Sequence, residues 1–394
     1  KFETWELSQS LNVSTLMASD CCGEVSMAFI PNSYEETNKV QFSNSADKKQ
    51  KNGFSSKPDI SVAMNYQVTR PIPLTNVVHV QISSRADDIK AGLIDTFLNL
   101  EMIDNDIFLS RHLLKGRQSI PAVYGGQVIG QALAAASATV DSSYKPHSFH
   151  SYFIQAGSVL KPILYMIDRV SDRRSFCTRL VKAVQSGKAI FTCQVSFHKD
   201  EPDAITHQHE MPDISPPEKL LDYSEVMKQY SLDNRVKPAI REILKYRLKE
   251  IAPAFERIFE LRPVDPERYI LGLTGKVEPK SYLWLRAKEN IGDDLRLHQC
   301  VAAYISDCTM LETAMKSHTS NGFIPSMAFS LDHCIWMHSS KFRVDEWVLY
   351  ENYSPIARGS RGFTEGRLWT RDGRLILSTT QEGLIRSAKC KNDL

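Results

Sequence analysis

The chain of 394 residues is predicted to adopt an α+β fold built from two copies of one unit, a long helix wrapped by an antiparallel sheet. From residue 89 onward, each half shows a helical pattern followed by four strand-like runs. The separations from His147 to Gly187 and from His333 to Gly373 are both 40 residues. Identical residues recur at offsets of 185 to 187: Tyr165 and Tyr350, Phe176 and Phe363, Gln194 and Gln381. The repeat is faint, so a chance likeness between two unrelated α+β segments stays open.

The N-terminal extension, residues 1–88, is expected to be mostly disordered. Residues 31–70 are rich in Ser, Asn, Lys and Asp, and such a composition buries too little apolar surface to fold. Val78, Val80 and Ile82 alternate with polar neighbours and predict one short strand.

The N-terminal unit is assigned to residues 89–212. Its central helix is predicted at residues 124–136, where a Gly pair precedes an Ala-rich run. Ser186-Gly187 predicts a hairpin turn between the last two strands of this unit. Its strand-like runs are residues 148–154, 163–170, 176–185 and 189–197.

A helical linker is predicted at residues 213–255, where apolar residues fall among charges at helical spacing and prolines punctuate the stretch. The C-terminal unit is assigned to residues 256–388, followed by a tail at 389–394. One uninterrupted helix is predicted at residues 297–315. The strand-like runs of this unit are residues 327–337, 346–353, 362–370 and 375–385.

Charge and motifs exclude several classes of function. A formal net charge of +2 gives no electrostatic reason to expect nucleic acid or an anionic membrane as a partner. No apolar run of about 18 residues is present, so no integral membrane segment is expected. The chain has no C-x-x-C pair, H-E-x-x-H motif or dinucleotide fingerprint, so we expect neither a metal nor another cofactor.

Asp307 is a lone carboxylate in the otherwise almost wholly apolar run of residues 301–311. A helix that is apolar nearly all round is a buried helix, and a carboxylate is rarely buried without a partner. Asp307 therefore either braces a neighbouring element or takes part in chemistry, and the run alone does not decide between these alternatives.

Three further features could supply its partners. Ser330 lies in an apolar strand, where alternation places His333 on the opposite face. Gln381 alternates with its strand neighbours and is expected on the buried face, although an exposed edge position is the alternative. Gly125 and Gly126 either offer N–H groups to a carbonyl oxygen at a helix N-terminus or only permit close packing.

A carboxylate, a hydroxyl and an amide that converge can hold a water molecule while the carboxylate takes its proton. Such a set lacks a strong nucleophile, so it suits direct attack of water on an activated acyl bond. A thioester fits well, because a thiol with a pKa of ~8.5 leaves as thiolate with little help from an acid.

At this point the sequence resembles a known family, the acyl-coenzyme A thioesterase II family, and within it the peroxisomal members of animals. The resemblance covers residues 89–388. It rests on residues 89–108, 124–133, 147–153, 301–307, 330–338 and 380–386, which include the motifs YGGQVIGQAL, HSFHSYF, SLDHCIWMH and TQEGLIR.

The resemblance implies a double hotdog fold, meaning two helix-in-sheet units fused in one chain, and hydrolysis of fatty acyl-CoA to fatty acid and CoA. It places the family's catalytic residues on Asp307, Ser330 and Gln381. His150, in HSFHSYF, has a weaker claim as a substrate-binding residue, beside Gly125 and Gly126. Fatty acyl-CoA is the implied partner, and a homo-oligomer is compatible with the family.

The resemblance also implies a peroxisomal location, but the sequence ends in Lys-Asn-Asp-Leu rather than Ser-Lys-Leu, so a cytoplasmic location is the alternative. Two rival functions remain open. One is an acyl-CoA binding or scaffold protein without turnover. The other is an acyl-CoA hydratase or dehydratase, which would need a His–carboxylate pair drawn from His147, His150 or His333.

Overall fold

In the computed structural model, which describes residues 92–93, 100–267, 278–319 and 323–387, one antiparallel sheet of thirteen strands runs through both halves. The predictions for residues 1–88 and 389–394 concern parts of the chain outside these ranges. The strands are β1 (Glu101–Asp104), β2 (Ile107–Ser110), β3 (Tyr144–Phe153), β4 (Ile163–Asp172), β5 (Phe176–Gln185), β6 (Lys188–Lys199), β7 (Phe259–Pro263), β8 (Lys280–Ala287), β9 (Pro325–Ser330), β10 (Asp332–Met337), β11 (Val348–Arg358), β12 (Arg361–Thr370) and β13 (Leu375–Ser387).

The two halves of the sheet meet where β3 pairs with β10, with His333 opposite Ser151. Outward from this junction, the first half runs β3-β6-β5-β4-β2-β1 and the second runs β10-β13-β12-β11-β8-β7. The two orders correspond strand for strand, and β9 is an addition that pairs with β13. The predicted repeat of one helix-and-sheet unit is therefore confirmed in the topology of the sheet.

Six helices and one 3-10 turn accompany the sheet within the described ranges. They are α1 (Gly125–Ala138), the turn Pro217–Lys219, α2 (Tyr223–Leu232), α3 (Pro238–Lys249), α4 (Pro253–Ile258), α5 (Leu295–Ile305) and α6 (Met310–Thr319). Helices α2 and α3 lie in the stretch predicted as a helical linker, residues 213–255, whereas α4 begins there and ends three residues beyond it. Both α3 and α4 begin with proline, whose fixed φ suits a first helical position. Within these ranges no helix is both long and apolar enough to cross a bilayer.

The central helices α1 and α5 pack against each other inside the sheet. Ile129 and Leu133 of α1 and Val301 and Tyr304 of α5 belong to one buried apolar cluster that also contains Phe149 from β3. The two units therefore share one core, and the end of each helix lies close to the other half.

Of the identical residue pairs that suggested the repeat, one occupies equivalent positions in the two halves and another does not. Tyr165 and Tyr350 are both fully buried, and each hydroxyl bonds to the helical layer of its own half, to Gln131 and to the Ser306 carbonyl. Gln194 is exposed, whereas Gln381 is buried, so this pair does not correspond. Side chains alternate along a strand, so a shift of one residue moves a side chain to the opposite face.

The helix predicted at residues 297–315 is wrong in one respect, because it is broken between α5 and α6. The Ser306 carbonyl accepts the Tyr350 hydroxyl at 2.5 Å. The Asn352 amide donates to the Thr309 hydroxyl at 2.8 Å. Ser and Thr compete with helical backbone bonds, and here buried partners on β11 stabilise the interruption. Asp307 therefore lies in a turn at the end of α5 and not within a continuous helix.

Candidate active site

The N-terminus of α1, from the first half, faces the Asp307 turn of the second half. A Cβ atom on Gly125 would stand 2.8 Å from Asp307 Oδ2 and 3.0 Å from the Phe153 ring. A Cβ atom on Gly126 would overlap the Tyr304 carbonyl oxygen. The Gly126 N–H donates a hydrogen bond to the Asp307 carboxylate. The glycine pair thus serves close packing, and it also supplies a backbone donor at the positive end of a helix dipole.

Ser330 reaches the same place because of a β-bulge between β9 and β10. Ser330 lies opposite Gly383, and Cys334 lies opposite Thr380. The chain therefore advances four residues from β9 to β10 while β13 advances three. One extra residue reverses the alternation beyond it. His333 consequently points into the interior together with Ser330, and the prediction that these two residues face opposite sides is wrong.

Gln381 is buried on the inner face of β13, as the alternation predicted, together with Thr379 and Gly383. Its Nε2 donates to Ser330 Oγ at 2.7 Å. Ser330 Oγ in turn donates to Asp307 Oδ1 at 3.3 Å. The structure therefore brings Asp307, Ser330 and Gln381 into one hydrogen-bonded group, although they come from three separate elements.

Asp307 as a whole residue is partly accessible, yet protein atoms approach its carboxyl closely. Burial raises its pKa from 3.8 to about 7, against the opposing effect of hydrogen bonds from Ser330, the Gly126 N–H and Gln381. A carboxylate with a pKa near neutrality can accept a proton and release it again at physiological pH. This is the property required of a general base.

His333 and Ser306 are members of the group that the sequence did not reveal. His333 Nδ1 lies 2.6 Å from Gln381 Oε1, and its Nε2 lies 2.8 Å from Ser306 Oγ. Burial lowers the pKa of His333 to about 4, so the ring is neutral at physiological pH. The signal that could have found His333 is the histidine itself in an apolar strand, but the bulge that turns it inward is not visible in the sequence.

His150 is not brought to this group. Phe149 and Ser151 of β3 are buried, and alternation places His150 between them on the exposed face. There the centroid of its ring lies 5.2 Å from the centroid of the Trp336 ring. Of the other histidines considered for a hydratase, His147 bonds to the Ser196 hydroxyl at 2.8 Å. The partners of these histidines, like those of His333, are therefore not carboxylates. In the part of the chain that the structure describes, no group of three or more His, Cys, Asp or Glu side chains could hold a metal ion.

Comparison with known proteins places this arrangement in a family. A model described as acyl-CoA thioesterase matches residues 256–384, and one described as acyl-CoA thioesterase N-terminal domain matches residues 115–198. Acyl-coenzyme A thioesterase 8 of Rattus norvegicus is 44% identical over 301 residues, which are 76% of this chain and 91% of the rat protein. The chain belongs to the acyl-CoA thioesterase family.

Solved structures agree with this assignment. The acyl-CoA thioesterase II TesB2 of Mycobacterium marinum is 32% identical, covers 75% of this thioesterase and 99% of its own chain, and superimposes with a TM-score of 0.58. A protein with a hot dog fold from Alicyclobacillus acidocaldarius is 14% identical, with a TM-score of 0.54, over 75% of this chain and 98% of its own. The second likeness concerns the fold alone. Together with the topology of the sheet, these structures confirm the double hotdog fold.

Proposed function

We propose that this chain hydrolyses fatty acyl-CoA to free fatty acid and CoA, with Asp307 as the general base. Ser330 and Gln381 would hold the attacking water beside the carboxylate. The single observation that carries the proposal is the Asp307–Ser330–Gln381 group, which combines a carboxyl of near-neutral pKa with a hydroxyl and an amide. Membership of the acyl-CoA thioesterase family supports the choice of substrate.

In the proposed reaction, the water oxygen attacks the carbonyl carbon of the thioester while Asp307 takes a water proton. The C–S bond then breaks, sulfur leaves as the thiolate of CoA, and the proton on Asp307 can return to it. The first-turn N–H groups at Gly125 and Gly126 are the proposed donors to the carbonyl oxygen. The Gly126 N–H is directed at the ionised Asp307 in the free enzyme, so in this proposal it turns to the carbonyl oxygen as Asp307 takes the proton.

The test is CoA release from medium- and long-chain acyl-CoA by the whole purified chain and by Asp307→Asn. We expect a loss of about 10²-fold or more in kcat, because the amide cannot accept the proton. Asp294→Asn is a matched control, since Asp294 caps the other end of α5 and asparagine caps equally well. Near-normal kcat in a folded Asp307→Asn protein would rule out the assignment of Asp307.

Further aspects of the function are proposals with separate tests. A panel of acyl-CoA chain lengths measures substrate preference, and light scattering of the purified chain tests for a homo-oligomer. We propose a peroxisomal location from the resemblance to the animal peroxisomal members, and imaging of the tagged full-length protein tests it. The unit boundaries after residues 212 and 255 are also proposed, and limited proteolysis between the two units tests them.

A further inference from the structure

A continuous line of hydrogen bonds extends from Asp307 into the buried interior. Ser330 Oγ lies 3.3 Å from Asp307 Oδ1, and Gln381 Nε2 lies 2.7 Å from Ser330 Oγ. His333 Nδ1 lies 2.6 Å from Gln381 Oε1, and His333 Nε2 lies 2.8 Å from Ser306 Oγ. Three of these side chains are almost completely buried: Gln381, His333 and Ser306. In such a setting each polar atom needs its partner.

The ionised carboxylate fixes the direction of every bond in this line. A carboxylate only accepts, so Ser330 must donate to Asp307 and has its lone pairs left for the Gln381 N–H. The Gln381 oxygen then faces His333, and an amide oxygen also only accepts, so the proton of the neutral ring must lie on Nδ1. The ring Nε2 is consequently an acceptor, and the Ser306 hydroxyl, which lies 2.8 Å from both this nitrogen and the Ala303 carbonyl oxygen, shares its proton between them.

We propose that His333 is a positioning residue, whose Nδ1–H holds the Gln381 carboxamide with its nitrogen toward Ser330. The inference rests on the proposed function of Asp307, Ser330 and Gln381. The oxygen and nitrogen ends of a carboxamide have nearly the same shape, and a serine hydroxyl can bond to either. Ser330 therefore selects the orientation only while Asp307 is ionised and takes the hydroxyl proton. Once Asp307 is protonated, Ser330 can donate to an amide oxygen instead, and His333 at the other end of the amide then keeps the Gln381 oxygen away from Ser330.

A reversed carboxamide would disable the base. The Gln381 oxygen would then face Ser330, and the single hydroxyl proton of Ser330 would be drawn away from Asp307. Asp307 would lose a donor that stabilises its charge, and the water site would lose its amide N–H. The imidazole prevents this reversal without touching substrate or water, so its effect on the reaction passes entirely through Gln381.

Variants at position 333 test the proposal in the full-length protein. His333→Leu removes the donor, and we expect kcat to fall about tenfold while KM changes less than about twofold, as for a group that acts on the transition state. His333→Asn can place an amide N–H where Nδ1 stood, and we expect it to keep kcat within about threefold of the wild type. His338→Leu is the matched control, since the His338 side chain is exposed and its Nε2 lies 2.8 Å from Ser378 Oγ, which is not a member of the group around Asp307. Equal losses in the Asn and Leu variants would overturn the proposal.

A double-mutant cycle separates positioning from packing. If His333 acts through Gln381, His333→Leu should leave kcat unchanged when it is introduced into Gln381→Ala. A further loss of the same size in both backgrounds would show that His333 serves the core and not the amide.

The tautomer of the ring gives a readout that does not depend on activity. Nitrogen-15 NMR of labelled protein should show the proton of His333 on Nδ1, and Ser306→Ala should shift the ring toward the other tautomer. A proton on Nε2 in the wild type would refute the proposal even if the Leu variant fails to fold. If the ring carries Nδ1–H and the wild type releases no CoA from any acyl-CoA, the proposed function fails and the orientation of Gln381 stands.

Discussion

Removal of the Ser330 hydroxyl should move the pH profile of the reaction upward. The base must be ionised to act, and burial sets the pKa of Asp307 at about 7. The wild-type kcat/KM should therefore rise about tenfold per pH unit below pH 7 and level off above it. Ser330→Ala deletes a hydrogen bond that holds the pKa of Asp307 down, so more of the carboxyl is protonated at any given pH.

The size of the shift follows from the geometry of the bond. Hydrogen bonds to charged groups contribute about 1.5–3 kcal/mol, and a pKa unit corresponds to about 1.4 kcal/mol. The distance from Ser330 Oγ to Asp307 Oδ1 is 3.3 Å, which is long for such a bond and favours the lower end of the range. We therefore expect the apparent pKa of kcat/KM to move from about 7 to about 8 in Ser330→Ala.

The assay is loss of thioester absorbance at substrate concentrations well below KM, followed from pH 5.5 to 9.5 in buffers of constant ionic strength. Direct detection of the thioester avoids a thiol reagent whose own reactivity depends on pH. Ser326→Ala is the matched control on the same strand, because its hydroxyl bonds to the Arg386 carbonyl and not to the group around Asp307. An apparent pKa that stays at about 7, or falls, in Ser330→Ala would refute the account of how Asp307 is tuned.

Three other substitutions give separate tests. The pKa of Asp307 is about 7 in the folded protein against the ordinary value of 3.8, so ionisation of Asp307 lowers the stability of the fold progressively as pH rises from 4 to 7. The free energy of unfolding in urea should therefore be higher for Asp307→Asn than for the wild type by up to about 4 kcal/mol at pH 8. The two proteins should match near pH 4. Gly125→Ala should lower kcat by about tenfold or more, because the new methyl displaces the carboxylate; an unchanged kcat would contradict the close approach. Tyr350→Phe should lower the stability by about 1–2 kcal/mol and should also lower kcat, because the Ser306 carbonyl loses the hydroxyl that bonds to it. The control Tyr165→Phe should lower the stability but leave kcat unchanged.

Much of the fold could be predicted because its signals are local. The Gly pair and Ala-rich run predicted α1, and the strands from β3 to β6 were predicted to within a few residues. Positive φ angles at Ser186 and Gly187, 49° and 75°, confirm the predicted hairpin turn. The outer strands β1, β2, β7 and β8 were not predicted. These strands have four to eight residues, and β1 and β2 have only four each. A run this short gives too few alternating positions to be recognised from the sequence.

The candidate site was predicted only in part, because its geometry depends on contacts distant in sequence. The lone carboxylate and the resemblance singled out Asp307, Ser330 and Gln381, and the structure brings their side chains together. The break after α5 depends on Tyr350, 44 residues further along, and no local pattern reveals it. The bulge that turns His333 inward depends on the register with β13, which alternation alone cannot supply.

The hydrogen bond from the Gly126 N–H to Asp307 has a consequence for how the two units can evolve. One half of the chain holds the carboxylate and the other half holds the backbone group that stabilises it, so neither half carries a complete set. The two units cannot diverge freely, because a change in how α1 meets the Tyr304 end of α5 alters the reactive carboxylate itself. Chimeras between relatives should therefore work only when both halves come from the same parent, or when the contact between these two helices is transplanted intact.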